Sequence, residues 1–169
     1  MGPKGAPVLS GLGWMALVLG AAAIALDQAV KAWLLGPFDL PGRGAVDILP
    51  VFRLTYVQNG GVAFGLLQAH AELGRWMLVG FAACVVVALL LWLRRIDRIL
   101  SAAAIGLIIG GAISNNIIDR VRWGAVFDYL DFSGLLFPWV FNIADASISI
   151  GVGLLLLDSV LPSAKQAGS

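Results

Sequence analysis

Four aspartates, Asp27, Asp119, Asp128 and Asp145, lie in or beside long apolar stretches of this chain. A charged side chain in hydrocarbon costs about 2.5 to 3.5 kcal/mol on insertion scales, so each of them needs a route to water or a purpose. Two carboxyl groups a short distance apart cannot both ionise cheaply. One keeps its proton and the other acts as a base, and the pair can activate water and polarise a peptide carbonyl without metal, serine or cysteine. Taken singly, an interfacial carboxylate has a more ordinary fate: it caps a helix or pairs with a cation such as Lys31, Arg120 or Arg122.

Other chemistries are thinly supplied. One cysteine, Cys84, and one histidine, His70, are too few for a zinc site, a disulfide framework or a Ser/His/Asp triad, so no metal and no cofactor is expected. Cys84 reads as a buried thiol and His70 as a loop residue. Ser147 and Ser149 read as helix-packing hydroxyls, since nothing in the sequence brings Lys31 to them. Asp119 and Arg120 are adjacent opposite charges and read as a local structural pair. Asp158, near the end of an apolar run, is expected to reach water and is given no role.

The elements that carry these residues are membrane spans. The 169 residues are 60% hydrophobic and 12% charged, with a mean hydropathy of +0.93, whereas a soluble domain is about half apolar and a quarter charged. A span takes about 20 apolar residues, and four such stretches are present, at about 13–35, 75–93, 99–118 and 139–161. The chain therefore reads as one domain, 1–169, an all-α integral membrane protein. A small β-containing extracytoplasmic platform, 36–74, is expected between the first two spans, because Pro, Gly and Asp punctuate runs rich in β-branched and aromatic residues there. The third span is rich in Ala, Gly and Ser, which let membrane helices approach closely. A net charge of +1 gives no basic stripe for nucleic acid.

Alternation of the spans brings the far end of the first, the far end of the third, the following connection and the start of the fourth to one interface. Asp27, Asp119, Asp128 and Asp145 converge on that layer. Three of the five residues 94–98 are arginine, so the positive-inside rule puts this loop, and both termini with it, in the cytoplasm. The carboxylate layer is then extracytoplasmic. Leu17 to Ala25 has the apolar character of a signal peptide, but Lys4 is a thin basic region and charges follow at once, so a retained helix is expected.

Several short blocks resemble those of the lipoprotein signal peptidases, in the right order over nearly the whole chain. They are Leu26-Asp27-Gln28-Ala29-Val30-Lys31, Asn59-Gly60-Gly61-Val62-Ala63-Phe64-Gly65, Asn116-Ile117-Ile118-Asp119-Arg120 followed by Gly124-Ala125-Val126-Phe127-Asp128-Tyr129, and Phe141-Asn142-Ile143-Ala144-Asp145-Ala146. The resemblance implies an aspartyl endopeptidase of the bacterial inner membrane that removes signal peptides from prolipoproteins, cutting before a cysteine that carries diacylglycerol. It makes Asp128 and Asp145 the catalytic dyad and Asn59, Gly61, Phe64, Asn116, Arg120 and Asn142 orienting residues for dyad or substrate. Asp27, Lys31 and Asp119 become structural support. It also implies membrane lipid and the lipid-bearing substrate as partners, a monomer, and binding of the family inhibitor globomycin at the dyad. One departure stands out: Gly110-Gly111-Ala112-Ile113-Ser114-Asn115-Asn116 is one residue longer than the family's Gly-Gly-Ala-x-Gly/Ser-Asn, which leaves open whether Asn115 or Asn116 takes the family role. The platform, with Phe64 and its neighbouring glycines, is expected to form a mobile cover over the substrate.

Two other readings fit parts of the sequence. A small ion-coupled carrier would also hold intramembrane carboxylates, but would line a path across the bilayer with them and often repeats its first half in its second. A non-catalytic anchoring protein would explain the small residues of the third span and leave the carboxylate layer unexplained.

Overall fold

The computed structural model describes residues 9–61 and 71–162. Four helices are long and apolar enough to cross a membrane: α1 (Gly11–Leu35), α3 (Ala71–Leu93), a compound span Ile99–Trp123, and α6 (Ile143–Val160). The compound span consists of α4 (Ile99–Ala112), a π-helical segment Ile113–Asp119 and α5 (Arg120–Trp123). A short helix, α2 (Leu40–Arg43), follows α1. At about 1.5 Å per residue the shortest span still covers about 27 Å, close to a hydrocarbon core. Chain entry into α1 is fixed by Ser10, whose hydroxyl accepts the Gly13 N–H at 3.2 Å.

The compound span is the centre of the bundle. Its most apolar stretch is 56% buried within the protein, against 17–28% for the other three spans. Its small residues allow this. A Cβ on Gly106 would collide with the carbonyl oxygen of Ala16, and one on Gly110 would lie 2.6 Å from that of Gly20. On the other flank a Cβ on Gly111 would meet the carbonyl of Ala144, and one on Gly151 of α6 would lie 2.7 Å from the carbonyl oxygen of Ala104. Backbone-to-backbone approach of this kind supplies the van der Waals contact that holds membrane helices together where lipid is as apolar as the helices themselves. Gly110→Leu is therefore expected to force α1 off α4 at a cost of about 1–3 kcal/mol, read as a lower Tm in detergent. An unchanged Tm would mean that the close crossing is not needed.

At the far end of the same seam, the sequence expectation for Asp158 does not hold. Its side chain is buried, 5% exposed, because Arg98 (Nε to Oδ1, 3.0 Å) and the Ser101 hydroxyl of α4 close over it. Cys84, in contrast, is exposed on α3, so the expectation of a buried thiol is also corrected. Its helix has only one neighbour-facing stripe, and Cys84 lies off it.

The four-stranded antiparallel sheet runs β1 (Ala45–Leu49), β2 (Phe52–Asn59), β3 (Val126–Asp131), β4 (Val140–Phe141), with neighbours in that order. Only β1 and β2 come from the platform expected between the first two spans. The connection between the third and fourth spans supplies the other half, and α6 starts at Ile143, not near residue 139. Asn142 sets that start: its side chain accepts the Asp145 N–H while the Asp145 carboxylate accepts the Asn142 N–H, a reciprocal capping box.

Register between β2 and β3 shifts between Leu54 and Val57, a bulge at the centre of the pairing. Beyond it, Asp131 ties the strands by accepting from Arg53 Nε at 2.6 Å, Thr55 Oγ1 at 2.9 Å and Ser133 N–H at 2.9 Å. Burial alone would raise the Asp131 pKa, but these donors together hold it well below the usual carboxylate range. Phe127 and Tyr129 point from β3 into a cluster with Leu34 and Leu40, which docks the sheet on the end of α1. Side chains alternate along a strand, so Asp128, between them, faces the other way.

Candidate active site

Asp128 on β3 and Asp145 in the first turn of α6 are joined through one side chain. Asn142 donates Nδ2 to Asp128 Oδ1 at 2.7 Å and to the Phe127 carbonyl at 3.3 Å, while its Oδ1 accepts from the Asp145 backbone N–H at 2.9 Å. Its own backbone N–H donates to Asp145 Oδ2 at 3.1 Å. The capping box thus fixes one carboxylate relative to the residue that holds the other. On its second oxygen, Asp128 accepts Asn59 Nδ2 at 3.1 Å. Val57 lies opposite Asp128 in the ladder, so Asn59 is its diagonal neighbour on the same face, within reach of a side-chain contact. Asp128 is 3% exposed, and burial pushes its pKa above the ordinary carboxylate value in spite of Asn59, Asn142 and the nearby Lys31 charge.

A groove of about 530 Å³ opens beside this carboxylate, walled by Val57 to Gly61 on one side and Pro138 to Val140 on the other. Its floor includes Asp128. A larger opening, of about 690 Å³, is lined by Leu91, Trp92, Arg94 and Arg95 at the other end of α3 and has no carboxylate. Size therefore does not mark the site; the acid does.

The loop on the first wall is shaped by Gly61 and Arg120. Gly61 has a φ of +72°, and a Cβ there would lie 2.5 Å from Arg120 Nη2. Arg120 Nη1 donates to the Gly60 carbonyl at 3.0 Å, and Asn59 Oδ1 accepts the Gly61 N–H at 2.9 Å. Only glycine meets both the backbone conformation and the space.

Behind the two carboxylates lies a buried ionic cluster. Lys31 Nζ is 2.7 Å from Asp27 Oδ2 and 2.5 Å from Asp119 Oδ2, all three side chains being fully enclosed. Asp27 also accepts the Ser114 hydroxyl at 2.6 Å and the Ala144 N–H at 3.2 Å. Gln28 Nε2 donates to Ser114 Oγ at 2.9 Å and Asp119 Oδ1 at 2.7 Å. The partner of Asp119 is thus Lys31, on another helix, and not the adjacent Arg120.

The π-helical segment makes this cluster possible. Residues five apart on an α-helix diverge by about 140° around its axis, yet Ser114 and Asp119 both receive the same amide of Gln28. A π turn brings i and i+5 together. It takes up one residue more than an α turn does, within Ile113–Asp119. The outcome separates the two candidate asparagines: Asn115 Nδ2 donates to Asp145 Oδ1 at 2.7 Å and Asn142 Oδ1 at 3.1 Å, whereas among the described residues Asn116 Oδ1 meets Arg120 Nε, at 3.4 Å.

Of the residues singled out in the sequence, Asp128, Asp145, Asn59 and Asn142 are therefore in direct hydrogen-bonded connection. Asp27, Lys31 and Asp119 form the cluster behind them. Gly61 and Arg120 shape the groove wall, Asn116 stands off, and Phe64 lies outside the described residues. Gln28 and Ser114 were not singled out, although the polar pair Asp27-Gln28 inside a span was the available signal. Among the described residues no group of acids, histidines and cysteine has the arrangement to hold a metal ion.

Comparison with known proteins agrees on one family. A family model for signal peptidase (SPase) II matches residues 19–161. The lipoprotein signal peptidase of Caulobacter vibrioides is 50% identical over 149 residues, 88% of each chain. That of Methylobacterium sp. (strain 4-46) is 45% identical over 152 residues, 89% of this chain and 92% of the relative. A bacterial membrane enzyme solved by the in meso method at 1.9 Å resolution superposes with a TM-score of 0.75 at 26% identity, over 89% of this chain and 95% of that one.

Proposed function

Because the chain belongs to the signal peptidase II family, whose members are multi-pass bacterial membrane peptidases acting on prolipoproteins, we propose that Asp128 and Asp145 form an aspartyl dyad that cuts just before a cysteine already bearing diacylglycerol. The observation that carries this reading is Asn142, whose side-chain amide donates to the Asp128 carboxyl and whose backbone N–H donates to that of Asp145, so that one residue ties the two carboxyl groups into a unit beside an open groove.

In the proposed reaction one carboxylate takes a proton from water as its oxygen bonds to the scissile carbonyl carbon. The other, protonated, gives its proton to the carbonyl oxygen. The tetrahedral intermediate then collapses: one of its hydroxyls returns a proton to the second aspartate as the carbonyl reforms, the C–N bond breaks, and the departing nitrogen takes the proton first removed from water, which restores the dyad. Asn59 and Asn142 orient the dyad. Gly61 and Arg120 form the side that receives the substrate backbone, Asn116 holds Arg120, Phe64 keeps the orienting role that the family resemblance implies, and Asp27, Lys31 and Asp119 support the site from behind. The lipid anchor of the substrate remains in the bilayer while its scissile bond reaches the groove at the interface.

We assign the sheet and dyad to the extracytoplasmic side and the termini to the cytoplasm, because Arg94, Arg95 and Arg98 occupy the end of the bundle remote from the dyad. A single chain supplies every group named, which favours a monomer. Globomycin is expected to compete at the dyad.

The test is mass analysis of the products from a diacylglyceryl-modified prolipoprotein, over a range of pH. A product beginning with the modified cysteine supports the reading, and a cut elsewhere contradicts it. With Asp128 as the proton acceptor, its raised pKa sets the sign of the pH effect: its ionised form is lost as pH falls through a value above the ordinary carboxylate pKa of about 3.9. The rate should therefore decline on the acid side before the pH reaches that ordinary value.

A further inference from the structure

We propose that the charge of Lys31 fixes the orientation of two buried amides, Asn115 and Asn142, and so determines that both carboxyl groups of the dyad receive N–H donors; Asn115 is the positioning residue through which it acts. This rests on the dyad assignment above. An ammonium group has three protons and no lone pair to offer. Lys31 donates to Asp119 Oδ2 and, at 2.8 Å, to Asn115 Oδ1, and its charge pairs with Asp27.

Asn115 must then present its oxygen to Lys31, and its NH2 group has no choice but to face Asp145 Oδ1 and Asn142 Oδ1. Asn142, receiving N–H groups from Asn115 and from the Asp145 backbone on its oxygen, must in turn aim its own NH2 at Asp128 Oδ1 and the Phe127 carbonyl. Reversing either amide would set donor against donor. An amide orientation is ordinarily ambiguous; here a buried cation removes the ambiguity at Asn115, and Asn115 acts with the Asp145 backbone N–H and the Phe127 carbonyl to remove it at Asn142. The π turn takes part because it keeps Asn115 and Asp119 on the face of the span that meets Lys31 while Ser114 still reaches Asp27.

The experiment compares Asn115→Ala and Asn115→Asp with wild type in cleavage of a diacylglyceryl-modified prolipoprotein, at equal folded concentration and at pH 8, well above the ordinary carboxylate range. Asn115→Asp preserves size and gives Lys31 an acceptor at least as good, but it also sets a carboxyl against Asp145, so the relay requires the neutral Asn115→Ala to lose turnover too, whereas a purely structural role would leave its kcat unchanged. Loss of the amide donor to Asp145 is expected to lower kcat by about 100-fold, the scale of a small misplacement of a reacting group, with KM unchanged. If Asn115→Ala does not fold, the neutral, similarly sized Asn115→Leu takes its place.

Asp128→Asn and Asp145→Asn are run beside them to keep the two ideas apart. If those variants are silent and either Asn115 variant turns over like wild type, the amide relay is wrong and the dyad stands. If those variants still cut, the dyad assignment itself fails and the relay falls with it.

Discussion

Lys31→Met is expected to destabilise the protein by about 3–5 kcal/mol, the scale for removing one partner from a buried ion pair. Methionine can fill the space of the lysine stem, so the loss is electrostatic. Asp27 and Asp119 would be left facing each other with no cation between them, in a site where all three side chains have 0% exposure. Gln28 and Ser114 can donate to these acids but carry no charge. The check is Tm in detergent, with Lys31→Met/Asp119→Asn as the second half of a cycle. Removing one of the stranded charges should recover part of the loss, because residues in one network do not add independently. Equal Tm values for wild type and Lys31→Met would show that the cluster contributes nothing to folding.

Much of this architecture was legible in the sequence, and what was not had a physical reason. The spans are announced by apolar runs too long for any soluble helix, and the central place of the third by its glycines and alanines, which the crossing at Gly106 and Gly110 uses. The convergence of acids followed from alternation of the spans alone. The strand Val126–Asp131 was not legible, because a polar and aromatic connection becomes a strand only when β2, some seventy residues earlier, is there to pair with it. The late start of α6 was written in Asn142 and Asp145, three residues apart as a capping box requires, but chemistry drew attention to them first.

The choice between Asn115 and Asn116 is the clearest limit. Adjacent residues of the same type differ on a helix only by angle. An α-helical reading cannot say which angle the extra residue produces. The π turn gives Asn115 to Asp145 and Asn116 to Arg120. The burial of Asp158 was hidden for a similar reason: its proximity to a helix end suggested water, while Arg98 and Ser101 on a neighbouring helix cover it.

The second large effect concerns the dyad. Asp128→Asn and Asp145→Asn each retain size and most hydrogen-bonding capacity but cannot exchange a proton at neutral pH. General acid–base catalysis by a positioned side chain supplies about 10²- to 10⁴-fold. Each of these residues is assigned both a proton-accepting and a proton-donating part of the cycle, so losses at or beyond the upper end are expected. Folding should survive, since the Asp128→Asn amide oxygen can keep the Asn142 donor and only the Asn59 contact, made to the other oxygen, is lost. The two losses should not add, because residues that act as a unit fail together.

The most direct test is cleavage of a diacylglyceryl-modified prolipoprotein by purified wild type, Asp128→Asn, Asp145→Asn and the double variant, each at equal folded concentration. The two-aspartate account predicts cleavage by wild type before the modified cysteine and near-complete silence from all three variants, the double no worse than either single. Substantial cleavage by either single variant, with its fold intact, would contradict it.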